Sequence, residues 1–264
     1  MQQGPGTNLV TRDRRQAESG IERVVLANPA RRNALSRALL QELDAMLAAI
    51  EAEGRVKVVI LASEGPAFSA GHDLRELRFG GEDEVREVFD ACAGVMTRIR
   101  TMSAIVLCEV EGVATAAGCQ LVASADLAVA GADARFATPG VKIGYFCTTP
   151  GVALGRSVGR KAALAMLLTG DFVSAAEARS LGLINEVVPA GQAEAGALAL
   201  ARRVARHARA TLVEGKRNFY RQLEMQEADA LRFASGIMVE QVKKPEAREG
   251  MSAFLEKREP VWPD

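Results

Sequence analysis

Hydrophobic residues along this chain fall into short apolar runs that alternate with longer segments of helical periodicity. Three runs, at residues 21–27, 56–62 and 104–110, are rich in the branched side chains typical of buried strands. Apolar residues recur at helical spacing after Ser36, a suitable N-cap, and up to Gly54, a suitable C-terminal stop. A second periodic segment spans residues 85–99. This alternation predicts an α/β fold.

The same pattern continues in the second half of the chain. Short strands are predicted at residues 127–130 and 183–188, and a helix at residues 159–168. Ser174 is placed to cap a helix over residues 175–181 that ends at Gly182. Residues 136–141 are predicted to form a loop because Pro139 and Gly140 disfavour regular structure.

Three regions differ in character. Residues 1–20 are polar without periodicity and are expected to be flexible, whereas residues 21–200 carry the strands and form the predicted core. Residues 201–264 are helical in pattern and contain no strand candidate. This helical region and the ten residues before it hold more large apolar residues than a small appendage could bury alone, which predicts self-association. The apolar residues in question are Leu198, Leu200, Leu212, Phe219, Leu231 and Phe233.

Charge and composition exclude several classes of protein. The 264 residues include 33 basic and 33 acidic side chains, so the basic excess of nucleic-acid-binding proteins is missing and no nucleic acid partner is expected. No apolar run is long enough for a membrane span, and the start MQQGPGTN does not resemble a secretory signal, so a cytoplasmic protein without membrane contact is expected. Four dispersed cysteines and two histidines without metal-ligand spacing predict free buried thiols and no metal site.

Two loops of small residues follow predicted strands and are candidates for chemistry. The segment GVATAAGCQLVASAD, residues 112–126, turns at Gly112 and begins a helix near Ala116, where backbone N–H groups have no helical acceptor. The segment GPAFSAGHDL, residues 65–74, has the same arrangement. Two such loops can hold one carbonyl oxygen between two N–H donors, which is the geometry of an oxyanion hole. Close packing of a strand against a helix is the ordinary alternative.

Several motifs identify a family by resemblance. The runs FSAGHDL (68–74), GVATAAGCQLVASADLAVA (112–130), FATPGVKIG (136–144), LTGDFVSAAEARSLGLINEVVP (168–189) and GMSAFLEKREP (250–260) resemble the enoyl-CoA hydratase/isomerase superfamily, the crotonases, in the same order. The likeness spans nearly the whole chain. It implies a spiral of ββα units with a helical C-terminal region that builds homotrimers, often paired as hexamers. It also implies an acyl-CoA thioester as ligand, with coenzyme A as part of the substrate and no separate cofactor.

The resemblance assigns roles to individual residues. The backbone N–H groups of His72 and Ala117 correspond to the oxyanion-hole donors of the family. Further residues correspond to positions that meet coenzyme A or the acyl group: Arg31, Arg32, Ala34, Ala70, Asp73, Leu74, Arg75, Phe254 and Lys257. For the basic residues among them, a solvated surface is the alternative.

The chain departs from the family where hydratases carry two catalytic glutamates, because Gln120 and Gly140 occupy those positions. Neither residue can exchange a proton at neutral pH. General acid–base catalysis is worth about 10²–10⁴ in rate, so ordinary hydration is expected to be nearly silent. Three hypotheses follow: an enzyme whose acid–base group is Glu111, Asp73 or the His72 ring; a catalytically silent acyl-CoA-binding or scaffold protein; or a thioester hydrolase or double-bond isomerase that needs one base.

Overall fold

The computed structural model describes residues 8–263, which contain two β-sheets. The strands are β1 (Val10–Asp13), β2 (Ile21–Leu26), β3 (Val58–Ser63), β4 (Ala67–Ser69), β5 (Ile105–Val110), β6 (Val113–Thr115), β7 (Leu127–Gly131), β8 (Arg135–Ala137), β9 (Val173–Ser174) and β10 (Glu186–Val188). One sheet has the order β1-β2-β3-β5-β7-β10 and the other β4-β6-β8-β9. Pairing is parallel except between β1 and β2 and between β8 and β9.

The α-helices of this range are α1 (Arg37–Glu53), α2 (Leu74–Phe79), α3 (Glu82–Thr101), α4 (Ala117–Ser124), α5 (Thr148–Ser157), α6 (Arg160–Thr169), α7 (Ala175–Leu181), α8 (Ala193–Ala205), α9 (Arg209–Gln222), α10 (Glu227–Gln241) and α11 (Pro245–Glu256). None of those within residues 8–263 combines the length and the apolar character needed to cross a membrane. The predicted loop at 136–141 contains the end of β8 and a 3₁₀ turn, Pro139–Ile143, because Pro139 suits the first position of a turn and Gly144 ends it with φ of +74°.

The predicted helix caps are confirmed. The Ser36 hydroxyl accepts a hydrogen bond from the Leu39 N–H at 3.3 Å, and Gly54 ends α1 in the left-handed conformation. Ser174 and Glu177 form a reciprocal capping box at the start of α7. These contacts span three residues, which is why the local sequence predicts them.

The connections repeat one unit along the chain. A strand of the six-stranded sheet is followed by a strand of the four-stranded sheet and then by helix, in β3-β4-α2-α3, β5-β6-α4 and β7-β8-α5. Helices α8 to α11 follow the last strand. The predicted α/β spiral of ββα units with a helical C-terminal region is therefore confirmed.

The six-stranded sheet is buried on both faces. Val59 and Leu61 of β3 point into a core shared with α1 and α3, whereas Val58 and Ile60 pack with Ala197 and other residues of α8. Full burial of each such side chain stabilises the fold by roughly 1.5–3 kcal/mol. Because α8 covers a face of the sheet, the predicted division at residue 200 falls inside a helix of the core.

The amino-terminal segment that was expected to be flexible contains an ordered strand. Residues 10–13 form β1, with Val10 buried and paired with Leu26 of β2. Residues 1–7 lie outside the described range. A four-residue strand with one buried side chain carries almost no periodicity, so its order comes from the edge of β2 rather than from local pattern.

A buried lysine anchors α9 to the core. The Lys216 ammonium donates to the carbonyl oxygens of Ile99 and Ala104 at 2.7 and 2.8 Å and lies 2.7 Å from the Asp126 carboxylate. Asp126 also accepts hydrogen bonds from the Val106 N–H at 2.7 Å and from the Tyr220 hydroxyl at 2.8 Å. Burial lowers the pKa of Lys216, although Asp126 opposes that shift. The loop between α3 and β5 is thereby joined to α9.

Candidate functional site

The two small-residue loops predicted from the sequence lie side by side at the ends of β4 and β6. A Cβ on Gly71 would stand 2.8 Å from the Ala116 Cβ and 3.2 Å from the Ala117 nitrogen. A Cβ on Gly118 would stand 2.4 Å from the Ser69 carbonyl oxygen. Both glycines therefore permit an approach of the two backbones that a larger residue would prevent.

This approach places two backbone donors next to each other. Ala117 is the first residue of α4, so its N–H has no acceptor inside the helix. Ala116 holds the turn with φ of 50° and donates its own N–H to the Ala137 carbonyl at 2.9 Å. Across residues 8–263, no protein atom accepts a hydrogen bond from the backbone N–H of His72 or of Ala117. The site thus has two neighbouring backbone donors without a protein acceptor among residues 8–263.

Asn33 braces the loop that carries His72, a role that the sequence reasoning missed. Its fully buried side-chain amide donates to the Glu64 and Ala67 carbonyls, both at 2.8 Å, and accepts from the Asn28 N–H at 2.9 Å. Asn33 has φ of 51°, a conformation that asparagine tolerates better than most residues. An asparagine in a loop between a strand and a helix is therefore the sequence feature that could have indicated this bracing role.

Two hydrogen bonds then join the loop of Asn33 to the loop of His72. The Ala70 N–H donates to the Arg32 carbonyl at 3.0 Å, and the Leu35 N–H donates to the Gly71 carbonyl at 2.7 Å. The backbone of residues 32–35 therefore sets the position of residues 70–72.

The structure gathers most of the residues that the resemblance assigns to coenzyme A. Asp73 caps α2 by accepting from the Arg75 N–H at 2.9 Å, and its other oxygen lies 2.9 Å from the Arg31 guanidinium. Ala34 next to Arg31 along the chain is half-buried, and four residues near the pair in sequence are exposed: Arg32, Ala70, Leu74 and Arg75. A cluster of cationic groups and an apolar side chain therefore borders the His72 loop.

Phe254 and Lys257 are not part of this cluster. Phe254 is 83 % exposed near the end of α11, and Lys257 ends that helix in the left-handed conformation. In the described part of the chain, neither side chain has a hydrogen bond or ion pair to the loops around His72. Their assignment remains a prediction.

The His72 ring faces the protein interior. Its Nδ1 lies 3.2 Å from the Leu35 carbonyl oxygen, and its edge meets the Phe89 ring at 5.1 Å between centroids. Burial lowers the pKa of His72, which keeps the ring neutral at pH 7. Its Nε2 is buried without a protein partner. The ring is thus held by packing, while the backbone N–H of the same residue has no protein acceptor among residues 8–263.

Gln120 lies one helical turn after Ala117. It is 6 % exposed, and its Oε1 has no hydrogen-bond partner. Thr138, which the sequence reasoning also missed, is fully buried at the end of β8 with an unpartnered Oγ1. Within residues 8–263, three of the four buried side-chain polar atoms without a partner belong to His72, Gln120 and Thr138. Because such atoms are normally paired, each of the three is a candidate partner for a ligand or an ordered water.

Gly140 has no room for a side chain. A Cβ there would stand 2.1 Å from the Tyr145 carbonyl oxygen and 2.8 Å from the Cys147 Sγ. The turn is closed by a hydrogen bond from the Tyr145 N–H to the Gly140 carbonyl at 2.9 Å. Close backbone packing therefore requires glycine at position 140.

The remaining acidic candidate from the sequence has a structural role. The Glu111 carboxylate accepts a hydrogen bond from the Ala193 N–H at 2.9 Å at the start of α8. The four cysteines are free and buried, as predicted.

A family model described as enoyl-CoA hydratase/isomerase matches residues 16–264. The chain belongs to the enoyl-CoA hydratase/isomerase family. It is 48 % identical over 247 residues to the mitochondrial enoyl-CoA hydratase domain-containing protein 3 of Mus musculus, covering 93 % of this chain and 82 % of that protein. The corresponding protein of Homo sapiens is 46 % identical over 92 % of this chain and 80 % of its own length.

Solved structures agree with this assignment to the family. The structure of enoyl-CoA hydratase from Mycobacterium smegmatis has a TM-score of 0.93 and 44 % identity, covering 97 % of this chain and 99 % of that chain. The structure of human enoyl-CoA hydratase domain-containing protein 3 has a TM-score of 0.92 and 44 % identity, covering 97 % and 100 %. The resemblance to the enoyl-CoA hydratase/isomerase superfamily that the motifs indicated is confirmed.

One expectation is contradicted by these relatives. The curated proteins from Mus musculus, Xenopus laevis and Homo sapiens are all named as mitochondrial. The cytoplasmic assignment, which followed only from the default for a chain without a recognisable signal, is therefore wrong. Polar composition at the amino terminus does not discriminate between these two compartments.

Proposed function

We propose that this member of the enoyl-CoA hydratase/isomerase family binds an acyl-CoA thioester and stabilises its enolate through the backbone N–H groups of His72 and Ala117. The observation that carries the proposal is the close approach of the two loops at Gly71, with both N–H groups lacking a protein acceptor. Donors fixed in advance around a developing oxyanion are usually worth several kcal/mol, typically about 3–4 for one hydrogen bond.

The nucleotide end of coenzyme A is assigned to the cationic cluster beside the His72 loop. Arg31, Arg32 and Arg75 are exposed and can pair with phosphate oxygens. Asp73 orients Arg31 through their ion pair, whose exposure to solvent keeps its own contribution to stability small. Phe254 and Lys257 are assigned to the same ligand by resemblance alone.

We expect this protein to have little activity in hydrating a conjugated enoyl thioester. Gln120 and Gly140 supply no proton, and the three ionisable groups suggested by the sequence are held elsewhere: Asp73 by Arg31 and α2, Glu111 by α8, and the His72 ring by Leu35 and Phe89. Enolate stabilisation without hydration is the reaction class that this arrangement favours. Silent acyl-CoA binding is the alternative, and it predicts binding without turnover of any thioester in a panel.

Assembly into a homotrimer or hexamer is part of the proposal. Helix α10 has no buried residue, and exposed apolar side chains continue along the neighbouring helices: Phe219, Leu223, Leu231, Met238, Val239, Phe254 and Leu255. Patches of this kind normally mark interfaces. Of the apolar residues predicted to lie at a subunit interface, Leu198 and Leu200 instead pack in the cluster between α8 and the sheet. Light scattering is expected to give a trimer or hexamer at micromolar concentration, and a monomer would contradict this part.

Calorimetry with acetyl-CoA, coenzyme A and acetate tests the binding proposal. Acetyl-CoA and coenzyme A should bind, and acetate should not. The variant Gly71→Ala places a methyl group against Ala116 and Ala117, so it should weaken acetyl-CoA binding at least tenfold, about 1.4 kcal/mol.

Gly54→Ala is the matched control for this experiment. Gly54 also has a positive φ, of +67°, but a Cβ there meets nothing within 4 Å. Both variants suffer the same kind of backbone strain, and only one disturbs the site. Absence of acetyl-CoA binding to the wild type, or equal affinities of the two variants, would contradict the proposal.

A further inference from the structure

Ser69 is the last residue of β4 and contacts both of the loops that carry His72 and Ala117. Its side chain is fully buried. The Ser69 hydroxyl donates to the Asn33 carbonyl at 2.8 Å and accepts a hydrogen bond from the Gly71 N–H at 3.3 Å. One side chain therefore joins the loop of Asn33 to the residue directly before His72.

The same residue packs against the loop of the second donor. The carbonyl oxygen and the Cβ of Ser69 lie 2.4 and 2.8 Å from the position that a Cβ would take on Gly118, the residue directly after Ala117. Ser69 also lies in the part of β4 that pairs with β6, the strand that leads into this loop. Ser69 thus contacts the neighbour of each N–H donor, Gly71 on one loop and Gly118 on the other.

Two buried backbone groups depend on the Ser69 hydroxyl. Within residues 8–263, no other protein group donates to the Asn33 carbonyl or accepts from the Gly71 N–H. Gly71 has φ of +86° and, as a glycine, has many accessible conformations, so contacts rather than its own preference must hold it. Its carbonyl accepts from the Leu35 N–H at 2.7 Å. Because the Gly71 carbonyl and the His72 N–H belong to one planar peptide unit, contacts that fix Gly71 also fix the direction of that donor.

We propose that Ser69 is a positioning residue of the oxyanion hole, whose hydroxyl fixes the direction of the His72 N–H. The inference rests on the proposed function, because the His72 N–H matters only if it binds a thioester oxygen. It adds to the role of Asn33, whose side chain holds the earlier part of the loop at the Glu64 and Ala67 carbonyls. A misplacement of about 1 Å can cost 10²-fold in an oriented site, so loss of the Ser69 hydroxyl should be measurable.

Acetoacetyl-CoA is the probe, because it forms an enolate without a base from the protein. The carbon between its two carbonyls loses a proton to the buffer, and the electron pair spreads over both oxygens. Donors held at the thioester oxygen stabilise this anion, so they raise the ratio of enolate to keto form in the bound ligand. The ratio is read from the ultraviolet absorbance of the enolate at one fixed pH, with the full-length protein at saturating concentration. Wild type should raise the ratio above that of the free ligand.

Ser69→Ala removes the hydroxyl and leaves the Gly71 N–H without its acceptor. Removal of one oxyanion-hole donor typically costs about 10²–10³, and a misdirected donor forfeits part of that, so the enolate ratio should fall about tenfold. Coenzyme A has no thioester carbonyl, so its affinity by calorimetry should stay within about threefold of wild type. Ser69→Cys keeps a weak donor and a weak acceptor, so its ratio should lie between those of wild type and Ser69→Ala.

Ser103→Ala is the matched control. The Ser103 hydroxyl donates to the Glu51 carboxylate at 2.7 Å, so this variant also loses a serine hydrogen bond, and it should keep the wild-type ratio. If the folded Ser69 variants keep the enolate ratio within twofold of wild type, Ser69 does not position the donor. Should Ser69→Ala fail to fold, Ser69→Cys decides by the same criterion. An equal loss of coenzyme A affinity and enolate ratio would show a purely structural role and would also overturn the proposal.

Failure of the proposed function gives a different result. If wild type binds acetoacetyl-CoA without raising the enolate ratio, the oxyanion hole itself is refuted, and the role of Ser69 falls with it. If wild type binds neither acetoacetyl-CoA nor coenzyme A, the acyl-CoA-binding function is wrong as well.

Discussion

Gly118→Ala is expected to separate α4 from β4 and thereby to damage both stability and binding. The new Cβ would stand 2.4 Å from the Ser69 carbonyl oxygen and 2.8 Å from the Ser69 Cβ, whereas ordinary contact begins near 3.4 Å. The contacting atoms belong to the backbone and the base of a side chain in a buried strand, so they cannot rotate away. The helix must move by about 1 Å, as in other overpacked cores.

The magnitude follows from two opposing effects. Overpacking typically costs about 1–3 kcal/mol. Replacing glycine by alanine inside a helix recovers about 0.4–1 kcal/mol by restricting the unfolded chain. The variant should therefore be destabilised by roughly 0.5–2 kcal/mol, which corresponds to about 2–4 °C of Tm for each kcal/mol in a chain of this size. Displacement of the Ala117 N–H should also weaken acetyl-CoA binding about fivefold or more, since one hydrogen bond to a polar ligand is worth about 1 kcal/mol or more.

Urea unfolding and calorimetry on Gly118→Ala and Gly94→Ala provide the assay. Gly94 lies inside α3, where a Cβ meets nothing within 4 Å, so alanine there should raise stability slightly and leave binding unchanged. Both variants need the same protein concentration because association affects apparent stability. If Gly118→Ala unfolds at the same urea concentration as Gly94→Ala and binds acetyl-CoA like wild type, the two loops are not held together by this contact.

Three further predictions concern other parts of the chain. Lys216→Met should lower the free energy of unfolding in urea by about 3–5 kcal/mol because it leaves the buried Asp126 carboxylate without its cation. The control Lys161→Met, at an exposed position, should lower it by less than about 1 kcal/mol. Similar losses for the two variants would contradict the anchoring role of Lys216. Because burial lowers the pKa of His72, the unfolded chain binds the proton more tightly, so stability should fall as pH drops below about 6.5. His72→Gln should lessen the difference in urea midpoint between pH 7.5 and 5.5, and an unchanged difference would refute this. Wild type should hydrate crotonyl-CoA at a negligible rate, measured as loss of the enoyl-thioester absorbance, and rapid hydration would overturn this reasoning. Gly140→Glu should destabilise the protein because its new side chain meets the Tyr145 carbonyl oxygen, and wild-type stability of this variant would contradict the packing argument.

Much of the fold is encoded in contacts between residues near each other in sequence. The caps at Ser36 and Ser174, the glycine stops at Gly54 and Gly182, and the apolar periodicity of the helices each depend on neighbours within one or two turns. The apolar strands are recognisable because a parallel sheet covered on both faces requires nearly continuous branched residues. The small-residue loops that carry His72 and Ala117 are recognisable for a similar reason, since close backbone approach requires glycine and alanine.

Tertiary structure alone decides what surrounds those loops. Asn33 lies far from His72 in sequence, and nothing local indicates that it braces the loop that carries His72. The sequence shows that Gly140 lacks a carboxylate, but only the fold shows that the Tyr145 carbonyl and the Cys147 thiol fill the space beside it. Likewise, the sequence pattern of α8 resembles that of the helical region that follows it, yet α8 buries Ala197 and Ala201 against the sheet. Local pattern determines which elements form, whereas the partners of a buried side chain depend on how distant elements pack.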